Sequence, residues 1–330
     1  MICDGLVFSS LNLAIAALAL LLERFFGYSH WLESRIGHPV AWMGALIRLL
    51  DRWLNDADMS ARDRQLRGAL ALALLITAVG FVAISLAVFL RALPLGWLLE
   101  SALAASLLSQ KSLREAVQAV ASGLERSLEA GRDAVRHIVG RDASALDQTG
   151  VARGAIESLA ENMSDGVTAP LIWLAIAGLP GIAVYKAINT ADSMIGYRND
   201  KYRDFGWAAA RLDDLVNLPA SRLTGFVLCL AAAAKGDGRG RTALHAMRHD
   251  ATKHVSPNAG WPEAAMAGAL GIRLGGPRAY QGRTVELPWM GDGRIDITPD
   301  DIQDALSLYG DGLNILLVLV VGSWMLSGLV

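Results

Sequence analysis

The stretch GALALALLITAVGFVAISLAVFL, residues 68–90, runs for 23 residues between Arg67 and Arg91 without a charge. A helix of about 20 largely apolar residues crosses the hydrocarbon core of a bilayer, so this segment alone decides the class of the chain. The same test, applied outward, finds 18 uncharged residues between Asp4 and Glu23, 20 between Asp165 and Lys186, and 19 from Gly312 to Val330. Two weaker windows each hold one charge: 93–110 contains Glu100, and 215–234 contains Arg222. A single mid-helix charge costs about 2.5–3.5 kcal/mol, so both windows enter the membrane if the charge snorkels or faces protein. The first window is not a signal peptide, because Asp4 stands where a basic region belongs and no cleavage site follows Leu22. The expected fold is an all-α integral membrane protein, one polytopic domain over 1–330. It has four to six membrane-embedded helices, some re-entrant, at 5–22, 68–90, 93–110, 166–185, 215–234 and 312–330.

Composition agrees. Hydrophobic residues make up 53% and charged residues 19%, against roughly 25% charged in a soluble domain, and the mean hydropathy is +0.36. Thirty Lys and Arg balance 32 Asp and Glu, which excludes a basic nucleic-acid binder. Cys3 and Cys229 lie in apolar stretches without C-x-x-C spacing, so neither a disulfide framework nor a zinc site is indicated. No P-loop, nucleophile elbow, kinase set or zinc helix is present; Gly236-Asp-Gly-Arg-Gly240-Arg has the glycines of a phosphate loop without its lysine. His245 and His249, four apart without a third ligand, read as surface residues.

Several local features follow from turn and period chemistry. Pro94 and Gly96 mark the turn of a helical hairpin over 66–110. Pro170, Gly178, Pro180 and Gly181 break 166–185 into two pieces, and Pro219 and Gly225 do so more weakly in 215–234. Leu113, Val117, Val120, Leu124, Leu128, Val135 and Ile138 recur at the spacing of one amphipathic helix. Residues 284–298 alternate about Gly291-Asp292-Gly293, the pattern of a small β-hairpin. Thr298-Pro299-Asp300-Asp301 opens a terminal helix. Segments 23–67, 91–165 and 235–311 together hold 24 Lys and Arg against five in 186–214, which favours the cytoplasm for the former face.

Four polar stretches abut these apolar runs. In Gly37–Gly44, His38 is a group that titrates near neutral pH. In 157–166, Glu157, Glu161 and Asp165 stand at i, i+4 and i+8 of a helix; like charges there repel unless a cation such as Mg²⁺ or Arg153 neutralises them. In 186–214, Lys186, Asn189, Asp192, Ser193, Arg198, Arg211, Asp213 and Asp214 crowd beside membrane helices, where charge defaults to function. Asp213-Asp214 also suits a helix N-cap ahead of 215–234. In 253–263, His254, Ser256 and Asn258 precede Gly260, whose turn offers amides to an anion. Gly260, Ala264 and Gly268 make a small-residue stripe suited to helix packing or to a flat ligand.

Read together, HPVAWMG from His38, VARGAIESLAENMSDGVTAPL from Val151, NTADSMIGYRNDKYRDFGWAAARLDD from Asn189 and SPNAGWPEAAMAGALGIRLGGP from Ser256 resemble the adenosylcobinamide-phosphate synthase family of cobalamin biosynthesis, the CobD/CbiB type. The resemblance implies an ATP-dependent ligase joining the f-propionate carboxylate of adenosylcobyric acid to aminopropanol or its O-phosphate. With that chemistry, Glu157, Glu161, Asp165 and Asp192 are expected to hold Mg²⁺ and the ATP phosphates. Lys186, Arg198 and Arg211 pair with phosphate or carboxylate oxygens, and His254 or His38 takes the amine proton. Asn189, Ser193, Ser256, Asn258 and Gly260 bind substrate. One site built from all four stretches requires them to meet on one membrane face, the cytoplasmic side of the inner membrane, with four true crossings. Partners are then the corrinoid, the amine, membrane lipids and other membrane enzymes of the pathway, with no nucleic acid. A corrinoid or small-solute transporter with broken helices, and a scaffold for pathway enzymes, are the alternative readings.

Overall fold

The computed structural model describes residues 7–139, 143–280 and 283–328. Cys3, Asp4, the first two residues of the 5–22 window and the last two of 312–330 lie outside the described residues. Helices dominate. Four are long and apolar enough to cross a bilayer: Ala61–Arg91, the run Gln148–Ile195, Trp207–Ala234 and Pro299–Ser327. A fifth is added if Ser10–Phe26 and Trp31–Leu54, which meet at 99°, form one bent span. The chain is a multi-pass helical membrane protein whose packing divides into two compact units.

The first unit comprises residues 1–109, 169–217 and 319–330. It holds α1 (Ser10–Phe26), α2 (His30–Ile36), α3 (Pro39–Leu54), α4 (Ala61–Arg91), α5 (Gly96–Ala105), α9 (Ala169–Ile195) and the start of α10 (Trp207–Ala234). The hairpin turn falls where Pro94 and Gly96 place it. Leu95 is left-handed (φ 58°), and a Cβ on Gly96 would stand 1.8 Å from the Leu90 carbonyl oxygen. The second arm departs from expectation: α5 has ten residues, about 15 Å of rise, half a bilayer core. Glu100 holds it there. Its carboxylate, fully buried, accepts two 2.8 Å bonds from Arg91 at the end of α4, and Arg91 also donates to the buried Asn12 of α1 at 2.7 Å. The same pair sits against the break in α9. Gly178 there is left-handed (φ 61°), and a Cβ would meet Arg91 Nη2 at 2.8 Å and Asn12 Oδ1 at 2.9 Å. The break in 166–185 is thus real, and only glycine fits it. No matching break occurs in 215–234, because α10 runs through Pro219 without interruption. Pro219 is exposed, so its ring meets solvent or lipid rather than a packed neighbour. Asp213 and Asp214 lie in the second turn of α10 and are not its N-cap.

The second unit comprises residues 110–168 and 218–318. The expected amphipathic helix is two, α6 (Gln110–Arg126) and α7 (Leu128–Val135). Ser127 between them is extended, and its hydroxyl accepts the Ala130 N–H as an N-cap. Apolar spacing alone does not register such a reversal, which rests on Gly123 and Gly131 letting the two backbones touch. Then come α8 (Gln148–Met163), a π-turn at Ser164–Thr168, α11 (Arg239–Asp250), α12 (Gly260–Leu270) and α13 (Pro299–Ser327). The β structure is displaced from its expected centre. Leu274–Gly275 (β1) pairs antiparallel with Trp289–Met290 (β4), and Arg278–Tyr280 (β2) with Arg283–Val285 (β3). Gly291 and Gly293 instead close the exit from β4, where a Cβ on Gly293 would strike the backbone of Gly271. The α13 start is as expected: Asp301 accepts from the Thr298 N–H (2.8 Å) and hydroxyl (3.0 Å).

Asp250, at the end of α11, ties this unit together. Its carboxylate accepts from Lys253 at 2.6 Å and from the Gly291 N–H at 2.8 Å. Burial disfavours its charged form, but these donors outweigh that, and its pKa lies below the usual carboxylate value. A depressed folded pKa contributes stability above the unfolded pKa of about 3.9, lost as pH falls through the folded value. Asp250→Asn is therefore expected to lower the melting temperature at pH 7 and to melt level with the wild type near pH 3. A difference that persists unchanged at pH 3 assigns the effect to packing instead.

Candidate functional site

The first unit gathers the third polar stretch. On α9, Lys186, Asn189, Asp192 and Ser193 follow one another by about one turn, and α10 faces them with Asp213. The Asp213 carboxylate accepts from Asn189 (3.3 Å) and Asn217 (3.0 Å), and Asn217 accepts from the buried Tyr185 hydroxyl (2.8 Å). Asp192 lies within electrostatic reach of Asp213 and Asp214, and Arg198 and Arg211 lie within reach of Asp214. Ser193 is exposed and its hydroxyl returns to the Asn189 carbonyl at 2.9 Å. The first polar stretch joins this unit through His38, the N-cap of α3, which is within electrostatic reach of Lys186.

The depth of this cluster matters. Val184 packs at Gly80, where a Cβ would lie 3.5 Å from it, and Gly80 is close to the middle of the uncharged 68–90 window. Lys186 stands nine residues before Ile195, the last residue of α9, about 13.5 Å of helix rise. The polar line therefore begins at the helix end beside Tyr197 and Trp207, both exposed, and descends towards the mid-depth of α4.

The second unit holds the second and fourth stretches. Glu157 is buried, and its Oε1 accepts the Gly275 N–H at 2.7 Å, so this carboxylate fastens β1 to α8. Glu161 is exposed. Asp165 falls in the π-turn, whose wider winding takes it off the i+8 position above Glu157. Arg153 rests over the Trp289 ring at 4.8 Å. Among the described residues no three His, Cys, Asp or Glu side chains gather as metal ligands, so the structure does not assemble Glu157, Glu161, Asp165 and Asp192 into one cage.

His254 and Gly260 also differ from expectation. His254 Nδ1 accepts the Ser256 N–H at 3.0 Å, and Nε2 faces the buried Glu263 carboxylate at 3.8 Å. His38 Nδ1 accepts the Val40 N–H at 3.2 Å, and its ring also bonds the Ser106 backbone. With both nitrogens engaged, each imidazole orders its loop and does not await an amine proton. At Gly260 a Cβ would lie 2.1 Å from the Ala251 carbonyl oxygen, and at Gly268 2.5 Å from that of Thr242. The small-residue stripe is helix packing of α12 on α11. The turn amides of Asn258 and Ala259 are taken by the Ser256 hydroxyl.

One residue outside the expected set organises this region. Arg222, the charge inside the 215–234 window, stacks on Trp261 at 4.7 Å and donates to Asn258 Oδ1 at 2.9 Å. Asn258 Oδ1 also accepts from Ser221 at 3.1 Å. The signal was an arginine in an apolar window; its partners, some 36 residues away, were not visible. Asp213 was likewise visible as a charge, but not as the acceptor of two amides.

The fold and these clusters define a polytopic helical membrane protein with ionisable groups inside its spanning helices. Residues 16–309 match the family model described as CobD/Cbib protein, and the chain belongs to that family. It is 49% identical over 322 residues to cobalamin biosynthesis protein CobD of Rhodobacter capsulatus, covering 95% of this chain and 99% of that one. The protein of the same name from Rhizobium meliloti is 48% identical over 303 residues, 90% and 92% of the two chains, and that of Brucella suis 46% over 318, 95% and 97%. No solved structure matches.

Proposed function

We propose that the chain acts in cobalamin biosynthesis as an ATP-dependent acid–amine ligase. It joins the f-propionate carboxylate of adenosylcobyric acid to aminopropanol or its O-phosphate, at the cytoplasmic face of the inner membrane. Family membership and the names of its relatives support the pathway. The observation that carries the chemistry is the cluster of the first unit: Lys186, Arg198 and Arg211 beside Asp192, Asp213 and Asp214, set into helices where charge is costly unless used.

ATP, when bound, supplies the phosphoryl group that activates the carboxylate. The basic residues pair with carboxylate and phosphate oxygens and neutralise charge that grows as the bond forms. Mg²⁺ is ordinarily held through one or two carboxylates together with phosphate oxygens. Asp192 and Asp214 fit that donor set and would hold it; Glu157, spent on Gly275, does not.

The full chain in lipid nanodiscs, given ATP, Mg²⁺, adenosylcobyric acid and aminopropanol phosphate, is expected to release ADP and amide product in equal amounts. A second reading, a corrinoid carrier, is favoured by the break in α9 at Ala177–Gly178, since carriers use discontinuous helices. Corrinoid uptake into proteoliposomes without ADP or amide would establish the carrier and remove the ligase.

A further inference from the structure

The second unit contains a polar groove that the ligase reading does not use. Its volume is about 660 Å³, within the range of small-molecule sites. α11 supplies Arg239, Arg241 and His245 to one wall. The end of α12 supplies Gly268 and Gly271, and the turn after β4 supplies Asp292 and Gly293. Three close backbone approaches fix these walls: Gly268 on Thr242 and Ala243, Gly293 on Gly271, and Gly291 on Ile272. The Thr242 hydroxyl adds a 2.8 Å bond to the Gly268 carbonyl.

The basic groups here have no structural task. Among the described residues, neither Arg239 nor Arg241 forms an ion pair, whereas nearby Lys235 is matched to Asp311 (3.0 Å) and Lys253 to Asp250 (2.6 Å). His245 only stacks on His249, ring centres 4.1 Å apart. The rim glycines are bare. Gly238 and Gly271 are left-handed, and a Cβ on either would meet nothing within 4 Å, so packing does not explain them. Two guanidiniums and an imidazole lining one groove match a phosphate group, which Arg binds with two parallel N–H bonds. Asp237 and Asp292 on the same lining repel a bare polyanion and suit a ligand that also carries an amine or hydroxyl.

We propose that this groove is a binding site for a phosphate-bearing small molecule, held through Arg239 and Arg241. The proposal stands apart from the ligase reading and is tested by binding alone. Two kinds of ligand carry this chemistry, a nucleotide and a small amino-alcohol phosphate ester, and the probes separate them. The full chain in phosphatidylcholine nanodiscs is equilibrated with radiolabelled ATP without metal, with O-phosphoethanolamine, and with ethanolamine as the phosphate-free control. One phosphate probe is expected to bind and ethanolamine not. Arg239→Gln/Arg241→Gln is expected to weaken that binding by about 10–100-fold, the equivalent of one lost charge-assisted contact. Arg241→Lys is a milder variant that keeps the charge and should weaken it less. Binding of neither phosphate probe, equal binding to the double variant, or displacement only by phosphatidylglycerol would overturn the proposal. Matching thermal melting of wild type and variants guards against misfolding.

Discussion

Glu100→Gln is expected to cost the first unit about 3–5 kcal/mol, the ordinary penalty for leaving one member of a buried ion pair behind. Glu100 is fully buried and Arg91 nearly so, with 15% of its side chain exposed. Glutamine retains one acceptor oxygen but not the charge, so the guanidinium keeps Asn12 and loses its counter-ion. The damage does not stay local, because Arg91 and Asn12 also close the space at Gly178, where the helical hydrogen-bond ladder of α9 is interrupted. Arg91→Met/Glu100→Met tests the interpretation. Removing both charges abolishes the desolvation penalty along with the attraction, and this double variant should recover to within about 1–2 kcal/mol of wild type. Unfolding in mixed micelles reads both. A single variant as stable as wild type would show that lipid headgroups or water replace the lost partner.

How much of this was legible beforehand divides along one physical line. Features set by neighbours in sequence were readable: the 68–90 span, the Pro94–Gly96 turn, the break at Gly178, and the Thr298–Asp301 cap. Each is a property of a few consecutive residues and the turn or period they permit. Features set by partners far along the chain were not. Ser127 looks like any polar residue of an amphipathic helix until Gly123 and Gly131 bring the two helices together. Pro219 reads as a breaker, yet lies on an exposed face where its ring meets no packed neighbour. Glu157 reads as a metal ligand, yet its acceptor is spent on an amide 118 residues away. The charged residues of the site were identified as unusual because they lie in or beside apolar windows. Their grouping, Asn189 with Asp213 or Arg222 with Asn258, depends on which helix faces which, and periodicity does not carry that information.

Lys186→Met is expected to lower ligase turnover by about 100–1,000-fold, the range for removing one preorganised electrostatic group from a reaction centre. The substitution keeps the length and apolar stem of the side chain and removes a charge whose α-carbon lies roughly three turns inside the helix end. At that depth an ammonium is costly by itself, so a purely structural lysine would have no reason to persist there, and its replacement by methionine should leave insertion and expression intact. A lysine that meets substrate carboxylate or phosphate should behave differently. Turnover falls with the folded yield unchanged, and most of the loss appears in kcat if the charge neutralised is the one developing in the transition state, or in KM if it is already present on the bound substrate. Unimpaired turnover in folded Lys186→Met would remove the lysine from the reaction. The polar line along α9 would then serve only as a hydrated path into the membrane, as the carrier reading requires.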